Sequence, residues 1–219
     1  MLIAQNIKKS YGSLQVLRGV DLQINSGEVV SIVGSSGAGK STLLHILGTL
    51  DQPDSGTMVF DQVHLSKLRK NDLATIRNQK MGFIFQFHNL LPEFSALENV
   101  CIPGFIAKQD HKTLEKKGME LLEILGISGR ADHKPSELSG GEQQRVAVAR
   151  SLINNPKLVF ADEPSGNLDS KNAKELHKLF FDLKDQYNQT FVIVTHNEDL
   201  AEMADRKLIM ADGIITHDQ

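Results

Sequence analysis

Three observations predict an α/β fold with a mainly parallel sheet for this 219-residue chain. A glycine-rich loop lies between an apolar strand and a helix. Strands alternate with helices at both ends of the chain, and a long helical stretch separates the two ends. The pattern adds an N-terminal antiparallel β part and an inserted α-helical lobe. Apolar residues make up 40% of the sequence, and its length is ample for a buried core. The expectation is a single domain over 1–219, with a core at 1–87 and 156–219 and a helical lobe at about 88–155.

The elements follow in order. The first thirty residues alternate apolar and polar, as in "VLRGVDLQINSGEVVSIVG". This reads as antiparallel strands with a turn at Asn25-Ser26-Gly27, leading into a buried strand at Val29–Val33. "KSTLLHILGTL" is a helix from about Lys40 to Leu50, broken by "DQPDSG". After another strand or two the middle of the chain turns helical, and "LEKKGMELLEILGI" carries its apolar residues on one face. If Gly82–Phe87 is a strand, Phe83, Phe85 and Phe87 share one face, read as core, and Gln86 takes the other. Strands return at 157–162 and 190–196 with a helix around 170–187 between them. A helix near 198–204, a strand at "RKLIM" and a turn at Asp212-Gly213 complete the list.

Composition excludes several classes. The net charge is −3 and the pI about 6.2, with basic pairs short and scattered, so no nucleic acid partner is expected. Cys101 is the only cysteine, which excludes an intrachain disulfide and any cysteine-rich metal site. The N-terminus has no apolar segment followed by a small-residue cleavage site. No stretch approaches the roughly 18 apolar residues of a membrane-spanning helix. Direct membrane insertion is therefore not expected, and a role at a membrane would come through a partner.

Two motifs carry phosphate chemistry. "GSSGAGKS" matches G-x-x-x-x-G-K-[ST] in the required strand–loop–helix setting. Gly34, Ser35, Ser36, Gly37, Ala38 and Gly39 would curl the backbone so that successive N–H groups point at phosphates, continuing into Thr42 at the start of the helix. Lys40 would add charge at the β- and γ-phosphates, and the Ser41 hydroxyl can ligate Mg²⁺. "LVFADEP" is an apolar strand ending in two carboxylates, at the strand end where α/β sheets bind ligands. Asp162 is placed to hold the magnesium, and Glu163 to polarise an attacking water. A small kinase would share both motifs.

A third stretch separates the possibilities. In "LSGGEQQRVAVAR", Ser139 and Glu142 have capping-box spacing, which leaves Gly140 and Gly141 in the first helical turn unexplained. The stretch resembles the signature of the ABC-transporter ATPases, and the resemblance covers essentially the whole chain. It implies that Ser139, Gly140 and Gly141 complete the ATP site of a second, antiparallel copy of the subunit. It further implies that Tyr11 stacks on adenine, that Gln86 ligates Mg²⁺ and water, and that His196 contacts the γ-phosphate. "SGNLD", Ser165–Asp169, resembles the loop of that family that reaches across the dimer, with Ser165 where Thr is usual. The implied catalytic residues are Glu163, His196 and Lys40, and the implied cofactors are ATP and Mg²⁺.

The apolar segment His88–Phe94 suggests cover by a partner. In this family the region around 86–100 receives transmembrane permease subunits. "QFHNLLPEFSALENV" resembles the lipoprotein-releasing members of the family, with macrolide or peptide efflux and cell-division relatives as alternatives. The resemblance implies a peripheral protein at the cytoplasmic face of the inner membrane.

Overall fold

The computed structural model describes residues 1–219 and contains ten strands and seven α-helices. The chain forms two compact units, Met1–Ala74 with Lys184–Gln219, and Thr75–Leu183. It passes between them within two helices, α2 (Lys70–Lys80) and α6 (Ser170–Tyr187).

In the first unit, β1 (Leu2–Tyr11) and β2 (Leu14–Ile24) form the expected antiparallel pair. On its other edge β1 pairs with β4 (Ser55–Phe60), which pairs in turn with the short β5 (Val63–His64). Alternation places Leu2 and Ala4 of β1 in the core with Leu22 and Ile24 of β2, and a register shift between Ala4 and Ile7 returns Ile7 to the same side. A second set of strands centres on β3 (Val29–Val33). It pairs in parallel with β8 (Thr190–Val194) and β9 (Arg206–Ala211), with Val30 opposite both Val192 and Arg206. A strand with parallel neighbours on both sides is nearly all apolar, and "VVSIV" is. Its one polar side chain, Ser31, donates from Oγ to the Ala201 carbonyl at 3.3 Å.

Helix α1 (Lys40–Leu47) stops at Gly48, three residues before the expected end, because Thr49 turns left-handed at φ 60° and the N–H groups of Thr49 and Leu50 close back on the carbonyls of Ile46 and His45. The strand β10 (Ile214–Asp218), antiparallel to β9, was not expected. None of its residues is buried, so the apolar pattern that betrays a core strand is absent. The same reason hides α2, which has no buried residue.

In the second unit, β6 (Met81–Phe85) and β7 (Leu158–Asp162) pair in parallel with Phe85 opposite Asp162. Three helices pack together beside them: α3 (Ala96–Ile106), α4 (His111–Ile124) and α5 (Gly140–Leu152). Gly104 of α3 and Gly118 of α4 mark the close approach, since a Cβ on Gly118 would sit 2.7 Å from Leu97 Cδ1 and 3.1 Å from Cys101 Sγ. α5 buries Val146, Ala147, Val148 and Ala149 together with Leu152.

The phenylalanine stripe requires a correction. β6 ends at Phe85, two residues early, so Phe87 lies beyond the strand and is 71% exposed. Phe83 and Phe85 do share a face, their rings stacked 6.2 Å apart, and Phe83 also stacks on Phe160 at 5.7 Å. Both are half-buried rather than core.

Candidate functional site

The phosphate loop lies in the first unit, between β3 and α1. Gly34 has φ +152° and a Cβ there would run into the Met210 carbonyl oxygen, so only glycine lets the loop leave the sheet this way. Gly39 caps α1 at φ 98° with no side-chain hydrogen bond. The N-termini of α3, α4, α5 and α7 (Glu198–Met203) are instead capped by the side chains of Ser95, Asp110, Ser139 and Asn197. An uncapped first turn keeps its N–H groups for an anion. Lys40 folds back over the loop, donating from Nζ to the carbonyls of Gly34 at 2.8 Å and Ser35 at 2.9 Å. Ser35, Ser36, Gly37 and Ser41 are exposed, Thr42 is half-buried, and Ala38 and Gly39 are buried.

Tyr11 ends β1 with its side chain 51% exposed and its hydroxyl donating to Asp51 Oδ2 at 2.6 Å. Asp51 also accepts from Lys9 Nζ at 2.9 Å, and that ammonium lies 5.1 Å from the Tyr11 ring centroid. The Tyr11 hydrogen bond, followed by the Lys9 contacts, holds the Asp51 carboxyl below the usual carboxylate range. The cluster fixes the ring at the strand end with part of its surface open. Asp51 was visible in the sequence only as part of a helix-breaking turn. His196 is exposed two residues beyond the end of β8, between buried Thr195 and Asn197, whose side chain caps α7 by accepting from Leu200 N at 2.9 Å.

The second unit gathers the acidic and amide groups. Because β6 and β7 are parallel and in register, Gln86, Asp162 and Glu163 all emerge at their carboxyl ends. Glu163 sits at φ +47°, a left-handed backbone rare for a residue with a side chain. Asn167 was not anticipated. Its Nδ2 donates to the Gln86 carbonyl at 3.0 Å, and it accepts from Gln86 Nε2 at 3.2 Å. With Nε2 so engaged, the Gln86 amide presents Oε1 as its remaining polar atom.

Residue by residue, the expected ligands have the chemistry magnesium takes: Asp162 and Gln86 Oε1 of this unit, and Ser41 Oγ of the first, are each hard oxygen donors, and no group of three His, Cys, Asp or Glu side chains forms a metal cage of its own. Mg²⁺ is commonly held that way, by one or two protein oxygens with phosphates and water.

The signature lies at the start of α5. Ser139 caps the helix, accepting from Glu142 N at 3.3 Å, and its own N–H and Oγ–H donate to Glu142 Oε2 at 2.8 and 2.9 Å. Arg130 donates to the other oxygen of Glu142 at 3.0 Å. The two glycines separate on structural grounds. A Cβ on buried Gly141 would lie 2.6 Å from Asn172 Oδ1, and Asn172 is itself held by Asp169, so packing within the chain accounts for that glycine. Gly140 is exposed, and a Cβ there would meet only Leu168 Cδ2, at 3.9 Å. Nothing inside the chain requires Gly140.

After β6 the chain presents an apolar loop. Phe87, Leu91 and Phe94 are 71, 44 and 41% exposed. Two interior side chains hold it. Arg150 of α5 donates to the carbonyls of His88 and Asn89 at 2.7 and 2.6 Å. Buried Asn99 accepts from Leu91 N at 2.8 Å and donates to the carbonyls of Leu91, Phe94 and Ser95.

A phosphate loop on a parallel sheet, with carboxylates at a buried strand end and a signature helix, defines a P-loop ATPase. The chain belongs to the ABC transporter family, whose model matches residues 17–166. The lipoprotein-releasing system ATP-binding protein LolD of Cytophaga hutchinsonii is 60% identical over 215 residues, 98% of each chain. LolD of Bacteroides thetaiotaomicron is 58% identical over 218 residues, all of both chains. Among solved structures, a dimeric ATP-binding cassette in a post-hydrolysis state, bound to ADP and Pi, superposes with a TM-score of 0.91 at 39% identity, covering 100% of this chain and 98% of that one. No helix is long and apolar enough to cross a membrane.

Proposed function

We propose that this chain is the ATP-hydrolysing subunit of a transporter that releases lipoproteins from the inner membrane towards the outer membrane. The observation that carries the reading is identity of about 60% along nearly the whole of both chains to a lipoprotein-releasing ATP-binding protein. The division into a core at 1–87 and 156–219 and a lobe at 88–155 belongs to the same reading.

Two copies would share two nucleotides. In each, Tyr11 stacks on adenine and the loop Gly34–Thr42 surrounds the phosphates. Lys40 exchanges the carbonyls it now holds for the β- and γ-phosphates. Ser41, Asp162 and Gln86 would hold Mg²⁺, which supplies charge neutralisation to the phosphates. Glu163 orients the attacking water, and His196 contacts the γ-phosphate. Ser139, Gly140 and Gly141 of the second copy approach that phosphate with a helix N-terminus and, at Gly140, an exposed backbone. ATP therefore draws the copies together, and loss of the γ-phosphate lets them part.

The loop at 86–100 would offer its exposed Phe87, Leu91 and Phe94 to transmembrane permease subunits, and the protein would then sit peripherally on the cytoplasmic face of the inner membrane. Depletion of the chain in cells tests the reading. Lipoproteins destined for the outer membrane should accumulate in the inner membrane. Normal lipoprotein sorting, with macrolide efflux or cell division impaired instead, would overturn it.

A further inference from the structure

The backbone of Glu163 is doubly unfavourable. It is left-handed at φ +47°, and it precedes Pro164, which restricts the residue before it to extended values. A residue persists in such a conformation only where its surroundings over-determine it. Two bonds come from the turn itself: Gly166 N donates to the Glu163 carbonyl at 3.0 Å, and Leu168 N to the Ser165 carbonyl at 3.1 Å.

A third anchor comes from α6. His177, 3% exposed, places Nε2 at 2.9 Å from Oγ of Ser165, itself 9% exposed. Burying two polar side chains costs desolvation that an apolar pair of the same shape would avoid. What the polar pair adds is direction. Pro164 fixes its own φ, so few torsions remain between the Glu163 and Ser165 side chains. Holding Ser165 therefore holds the base of the Glu163 side chain.

We propose that His177 is a positioning residue for ATP hydrolysis: its hydrogen bond to Ser165 holds the Glu163-Pro164-Ser165 turn so that the Glu163 carboxylate stays where it orients the attacking water. This rests on the assignment of Glu163 above. His177 lies eight residues beyond the SGNLD stretch and in none of the sequence motifs, and its proposed effect on Glu163 runs through Ser165.

The test is steady-state ATPase kinetics on Ser165→Ala, His177→Leu, the double variant, His177→Gln and Glu163→Gln, with melting temperature and equilibrium ATP binding measured alongside. A misplacement of about 1 Å at a reacting centre can cost on the order of 100-fold. Ser165→Ala and His177→Leu should each lower kcat by roughly 10- to 100-fold, with KM and ATP affinity within about twofold of wild type. The double variant should be no slower than the worse single variant, because both remove one interaction. His177→Gln can set an amide nitrogen where Nε2 stands and should recover most of the rate. Should His177→Leu melt below the assay temperature, Ser165→Ala, which removes one oxygen, and His177→Gln carry the test. Normal turnover of Glu163→Gln would remove the role of Glu163 and the proposal with it. An inactive Glu163→Gln beside a Ser165→Ala of wild-type kcat, or losses that multiply in the double variant, would overturn the proposal alone.

Discussion

Gly140→Asp separates a glycine that serves the fold from one that serves a neighbour. In the monomer, the new side chain starts with no contact closer than 3.9 Å to Leu168. It enters the first turn of α5, where a carboxylate contributes about 0.3–1 kcal/mol in its favour through the helix dipole. Replacing a helical glycine by Asp, itself a poor helix former, adds only about 0.3 kcal/mol more. Repulsion from Glu142 opposes this, damped by the Arg130 ion pair at 3.0 Å. The monomer should therefore change by no more than about 1 kcal/mol, a melting shift of roughly 2–4 °C. Closure on ATP is another matter. A carboxylate held about 4 Å from one phosphate charge costs on the order of 4 kcal/mol at an effective dielectric of about 20. At about 1.4 kcal/mol per tenfold, that is near 1,000-fold in the dimerisation constant. The assay is ATPase rate against protein concentration, with thermal melts and ATP binding by the monomer as controls. The expected variant is folded, binds ATP and does not turn over. Wild-type turnover by the folded variant would refute the reasoning. Gly141→Asp is the weaker choice, because its clash with Asn172 gives any loss an explanation inside the chain.

Three further expectations follow from the same geometry. Lys40→Ala should weaken nucleotide binding by roughly 10- to 100-fold, the loss of a charge-assisted hydrogen bond, as read in a titration with a fluorescent ATP analogue; unchanged affinity would count against the phosphate loop. Leu91→Asp should leave folding and the ATPase of the isolated protein intact, since Leu91 is 44% exposed, while association with the membrane subunits weakens; undiminished association would remove Leu91 from the contact, and Leu90, half-buried, is the less clean probe. Burial pushes the Cys101 thiol up to about 11, so the native protein should resist thiol reagents at neutral pH and react once unfolded; fast native labelling would show that the α3–α4 packing opens.

Much of this was legible because the site is built from contiguous backbone. The phosphate loop, the carboxylate pair and the signature are each continuous stretches whose residue types and spacing follow from the local geometry. β3, β7 and β8 announced themselves as apolar runs because each is buried along its length. Elements with nothing buried, α2 and β10, left no periodicity to read. Phe87 was misplaced because alternation shows a face but not where pairing stops. The supporting partners lie far from what they support in sequence: Asp51 is 40 residues from Tyr11, Asn167 is 81 from Gln86, and Arg150 is 61 from Asn89. Single polar residues at such separations carry no local signal. The two signature glycines looked alike in sequence, and only the position of Asn172 tells them apart.

The central claim is that ATP is held between two copies of this chain, and Glu163→Gln tests it most directly. The substitution keeps Lys40 and the phosphate loop while removing the carboxylate proposed to orient water, so ATP should bind and persist. Sedimentation or size exclusion of the variant with Mg·ATP should show a dimer that returns to monomer when ADP replaces ATP. A species that binds ATP and remains monomeric at concentrations well above those of the assay would contradict the account.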